Sequence, residues 1–140
     1  MAAKTDFTED EWKELQQGVT GAGLLVSTAH RDFTDSFGEA KAVASQLAAH
    51  RDSESQLVRD LSGTHGTGFG LVASPKEVVD GTMSALSASV ALLAQKATDE
   101  LEAYRALVLD VANAVAEAKG GVKEEETAAI ARIRGALGIA

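Results

Sequence analysis

Three histidines and 21 acidic residues are the groups in this chain with the most chemistry to offer. A metal site or a general base would draw on them, provided that the fold supplies neighbours. His65 stands within Gly63-Thr64-His65-Gly66-Thr67-Gly68-Phe69-Gly70, where four glycines in eight positions leave the backbone without a regular preference. Such a loop can present a side chain. Its amides around Gly66 and Gly68 can also form a nest for an anion, beside the capped start of a following helix. No second His and no Cys stands near His65 in the sequence, and the spacing matches no phosphate motif. His65, Gly66 and Gly68 are therefore candidate ligand-loop residues, with a plain connector as the alternative reading.

His30 and His50 fall at the expected ends of two helices, where a partly positive ring is favoured by the helix dipole. The acidic clusters Glu9-Asp10-Glu11, Asp99-Glu100-Glu102 and Glu124-Glu125-Glu126 all fall in first helical turns, where negative charge is stabilising without any ligand. Nucleophilic catalysis would need a Ser or Thr with a base and an orienting acid, and no such set stands out among the many hydroxyls. The expectation is a protein that is not an enzyme.

Composition narrows the classes further. With 140 residues the chain makes one domain, 1–140, able to bury roughly 65–70% of its unfolded surface. It is 45% hydrophobic but only 4% aromatic, so its core must be built of Ala, Val, Leu and Ile, which suits closely packed helices. The absence of cysteine excludes disulfides, thiolate metal sites and cysteine nucleophiles together. A formal net charge of −8 and scattered arginines argue against a nucleic-acid partner, because phosphate binding rests on clustered cations. The start, Met1-Ala2-Ala3-Lys4-Thr5-Asp6, turns acidic at once and lacks the regions of a signal peptide, which points to a cytoplasmic location. The longest uncharged stretches fall short of the ~20 apolar residues of a membrane span, so no transmembrane segment is expected.

The elements that must position these residues are helices. Thr8 and Glu11 form a capping box, with Phe7 and Trp12 as its hydrophobic staple. Trp12, Leu15, Val19, Ala22 and Val26 then recur on one face of a first helix ending near His30. Gly18, Gly21 and Gly23 within it cost up to ~1 kcal/mol each against Ala, which close approach of another helix can offset. A second helix is expected from Asp32 or Thr34 to just before Arg51, burying Phe37, Ala40, Ala44 and Leu47. A third begins at Ser53 with Gln56 as its box partner, buries Leu57, Val58 and Leu61, and stops at Gly63. The Gly-rich loop 63–73 follows, and Ser74-Pro75-Lys76-Glu77 opens a fourth helix. That helix is expected to be central, with Val79, Met83, Leu86, Val90, Leu93 and Ala97 as its stripe and Ser84, Ser87, Ala88 and Ser89 keeping part of it thin. A fifth opens at Thr98 or Asp99, carries Leu101, Tyr104, Val108, Val111 and Val115, and ends at Gly120-Gly121. The last carries Ile130, Ile133 and Leu137. No alternation of period two persists, so the expected class is all-α: a compact bundle of about six helices around a Gly-rich central loop.

Each end of the chain repeats one pattern, an apolar helix, a short break and an acidic helix start. The first copy runs from Leu24-Leu25-Val26 through Ala29-His30-Arg31-Asp32 to Glu39. The second runs from Ala114-Val115-Ala116 through Ala118-Lys119-Gly120-Gly121-Val122 to Glu125-Glu126, with Ile130 and Arg132-Ile133-Arg134-Gly135-Ala136-Leu137-Gly138 beyond. The second copy resembles the repeated unit of the tellurite-resistance TerB family, an Ala-Asp-Gly turn followed by a Glu-bearing helix that ends in a Leu-Gly pair. The resemblance covers both ends and leaves out the glycine-rich centre.

It implies a compact helical stress-response protein whose turn acids, here Asp32, Glu39 and Glu126, hold a divalent cation such as calcium. It also implies membership of complexes at the membrane, hence peripheral membrane association. Two departures bear on the cation. Lys119 occupies the place of the family's Asp, and Phe33 that of its Gly. The combined expectation is a non-catalytic cytoplasmic module that binds a protein partner and a cation. The alternatives are a small-molecule or anion binder, or less readily an enzyme, using His65 and the 63–70 loop, and a self-associating subunit whose Gly- and Ala-rich faces meet between chains.

Overall fold

The computed structural model describes residues 6–29, 45, 48–53, 55–62, 75–118 and 124–138. Among them are five helices and no strand: α1 Glu9–Ala29, α2 Gln56–Ser62, α3 Pro75–Lys96, α4 Thr98–Ala118 and α5 Glu124–Ala136. The class is all-α, with five helices where about six were expected. The missing one, the expected second helix, falls mostly outside the described residues, of which Ser45, Ala48 and Ala49 are helical. Among the described residues no helix is long and apolar enough to cross a membrane.

The start of α1 follows its sequence signature in each part. The Thr8 amide donates to Glu11 Oε1 at 2.9 Å, and the Glu11 amide donates to Thr8 Oγ1 at 3.1 Å. Phe7 and Trp12 meet with ring centroids 6.1 Å apart. These bonds satisfy amides that the first turn leaves without helical partners. Beyond the cap, Trp12, Leu15, Val19, Ala22, Leu25 and Val26 are all buried in one cluster that draws side chains from all five helices.

α1 lies against α3, α4 and α5, and its pairing with α3 is the most extensive of all. Glycine makes that pairing close. A Cβ added at Gly21 would stand 2.2 Å from Thr82 Oγ1, and one added at Gly18 would stand 2.2 Å from the Tyr104 hydroxyl and 3.1 Å from Leu86 Cδ2. The 2.2 Å contacts are far inside van der Waals range, so an alanine at either position would force the facing side chain, Thr82 on α3 or Tyr104 on α4, to shift. The contact energy gained there offsets the helix-propensity penalty of Gly18 and Gly21.

The same contact rotates the buried line of α3 away from the predicted stripe. Leu86, Leu93 and Ala97 are buried as expected, but Val79, Met83 and Val90 are only partly so, while Thr82, Ala85 and Ser89 are almost wholly enclosed. Hydrophobicity ranks the branched residues first. Thr82 is the residue that meets Gly21, so the line of α3 facing α1 takes in a small polar residue beside Leu86, which meets Gly18.

α3 and α4 are separated by Ala97 alone. The Ala97 amide donates to the Leu93 carbonyl at 2.8 Å, the Ala97 carbonyl accepts from the Glu100 amide at 2.9 Å, and Thr98 Oγ1 donates to the Ala94 carbonyl at 3.1 Å. α5 closes with Leu137 buried and Gly138 at φ 75°, a left-handed residue of the kind that terminates helices. Arg105 on α4 donates through Nε to the Leu137 carbonyl at 2.8 Å, tying that terminus to the bundle.

The close pairing makes opposite predictions for different glycines. Gly18→Ala and Gly21→Ala should each lower stability by about 1–3 kcal/mol through overpacking, although alanine is the better helix former. Gly135→Ala, where an added Cβ meets nothing within 4 Å, should raise it by up to about 1 kcal/mol. Urea unfolding at unchanged slope measures both effects.

Candidate functional site

The residues singled out for chemistry are distributed unevenly over the structure. His30, Asp32, Glu39, His65, Gly66 and Gly68, together with the loop 63–73, lie outside the described residues. Glu126 belongs to the first turn of α5. Among the described residues no group of three or more His, Asp or Glu side chains is placed to hold a metal ion.

His50 is described. It directly follows the helical residues Ala48 and Ala49, at a helix end as expected, and its Nε2 lies 2.9 Å from Asp110 Oδ2 on α4. His50 sits in the turn before α2, with its carbonyl accepting from the Ser53 amide at 3.1 Å. The contact therefore links that turn to the outer face of α4.

The most enclosed polar constellation joins the start of α2 to the first turn of α4. Ser55, not Ser53, precedes the helix, and its Oγ accepts from the Val58 amide at 3.2 Å. Ser53 stands further out, its Oγ accepting from the Ser55 amide at 3.2 Å and its carbonyl from Arg59 Nη1 at 2.6 Å. The carboxylate of the expected box is supplied from elsewhere. Glu100, only 4% exposed, accepts from the Leu57 amide at 3.1 Å and from the Ser55 hydroxyl through the same Oε2. Gln56, the expected box partner, opens the helix itself.

A serine hydroxyl bonded to a carboxylate has the outline of a nucleophile and its base. Here the geometry assigns it other work. The hydroxyl donates to Glu100 and accepts from the helix, and both residues are buried between elements. The acid stabilises the amide end of a short helix, where unpaired donors and the dipole both favour a negative group. Within the core, Tyr104 is fully enclosed and donates to the Leu15 carbonyl at 2.8 Å. Burial pushes its hydroxyl well above the ordinary phenol range, so it stays protonated and acts as a donor.

On the surface, Phe7, Thr8, Glu9, Trp12, Lys13 and Gln16 line a groove of about 340 Å³ at the start of α1. Beside it Lys96, at the end of α3, reaches Glu11 Oε1 at 2.8 Å and stands 5.9 Å from the Phe7 ring centroid. The Lys96 bond and the Thr8 amide hold the Glu11 carboxyl below the usual carboxylate range. One exposed clasp thus joins the cap of α1 to the end of α3.

The pairing of Glu100 with α2 was not visible in the sequence. Glu100 looks like any acid in a first helical turn, and only the docking of another helix end distinguishes it. Ser53 and Gln56 have the full spacing of a capping box, which draws the expected helix start away from Ser55.

No family model, curated protein or solved structure matches this chain. The likeness to the TerB group therefore rests on the residues quoted for it.

Substitutions at Glu100 and Glu11, together with hydrogen exchange, test this account. Glu100→Ala should cost about 1–3 kcal/mol by leaving the Leu57 amide and Ser55 hydroxyl without their acceptor, and Glu100→Gln should cost less. Hydrogen exchange should accelerate in α2 before it does in α3. Glu11 titrates lower in the folded chain than in the unfolded one, so the unfolded chain binds its proton more readily as pH falls. Its contribution is present above the ordinary carboxylate range and vanishes below the folded value. Glu11→Gln should therefore lower stability near neutral pH, leave it unchanged in strong acid, and lose its effect in 1 M salt.

Proposed function

We propose that the chain is a non-catalytic, TerB-like helical module that acts in the cytoplasm by binding a protein partner and holds a divalent cation. The observation that supports the non-catalytic part is the use of three enclosed groups, Glu100, Ser55 and Tyr104. Glu100 and Ser55 bond the start of α2, and Tyr104 bonds the backbone of α1, so each is committed to holding helices together. A catalytic acid or nucleophile would have to reach a substrate instead.

The partner part is supported by the outer side of α3. Asp80, Ser84, Ser87, Ala91 and Ala94 are exposed along one face, a strip roughly 20 Å long at 1.5 Å per residue. Short side chains there allow a second helix to approach closely. A photocrosslinking residue placed at position 91 should give one discrete adduct in an extract of the cells that express the protein. Position 106, exposed on α4, should give none, and Ser87→Glu should abolish the adduct from position 91. Equal adducts from both positions, or none from position 91, would overturn the reading. An adduct of twice the chain mass would replace it with self-association.

Asp32, Glu39 and Glu126 enter the proposal as cation ligands on the resemblance alone. Calcium at 100 times its dissociation constant should stabilise the fold by about 2.7 kcal/mol. That shift should exceed a monovalent control of equal ionic strength and shrink with Asp32→Asn. A melting temperature indifferent to calcium, or a shift untouched by Asp32→Asn, removes the cation from the proposal.

A further inference from the structure

We draw no further inference here: the strongest candidate, the groove of about 340 Å³ that Phe7, Trp12, Lys13 and Gln16 help to line at the start of α1, is an unpartnered face at a helix N-terminus, and nothing in the structure shows what covers it.

Discussion

The close approach of α1 to its neighbours is the constraint on which the rest of this bundle depends. Gly18 and Gly21 present bare backbone to Tyr104, Leu86 and Thr82 at distances no side chain could tolerate. Everything packed around α1 inherits that geometry. It orients α3 with its small residues inward, and it brings the Tyr104 hydroxyl to the Leu15 carbonyl. A core so poor in large rings cannot bridge wide gaps. It reaches native density by moving helices together instead.

This economy in side-chain size is matched by a different use of polar groups. The Ser55 hydroxyl and the Glu100 carboxylate serve a helix end, and the Tyr104 hydroxyl serves a backbone carbonyl. Glu100 is the clearest case, because it sits in the first turn of α4 and yet completes the cap of α2. A short helix such as α2 is marginal alone, since nucleating a turn is costly and seven residues return few bonds. Its stability comes from Leu57, Val58 and Leu61 in the shared core and from an acid lent by another helix. α2 and α4 are thereby coupled: whatever displaces one removes a partner from the other.

The outer contacts follow the same logic at lower cost and lower strength. Lys96 with Glu11 and Phe7 joins the end of α3 to the start of α1, and Arg105, in the second turn of α4, holds the end of α5 through the Leu137 carbonyl. Exposed pairs of this kind contribute little individually. Their placement at helix ends keeps termini from fraying, while the broad faces of α3 and α4 remain open to solvent.

Local signals in the sequence determined the helices. The Thr8–Glu11 box, the Phe7–Trp12 staple, Pro75 at the start of α3 and the Leu137-Gly138 ending each act within four or five residues, so their meaning does not depend on distant parts of the chain. The buried faces of α1 and α4 were legible for a related reason, because a 3.6-residue period in Leu and Val survives whichever partner covers it. Tertiary structure alone decided which line of α3 turns inward, which glycines are irreplaceable, which residue caps α2 and which acid holds His50. Each of these is settled by contacts between residues far apart in the chain, and neither residue type nor short-range spacing encodes how closely two helices meet.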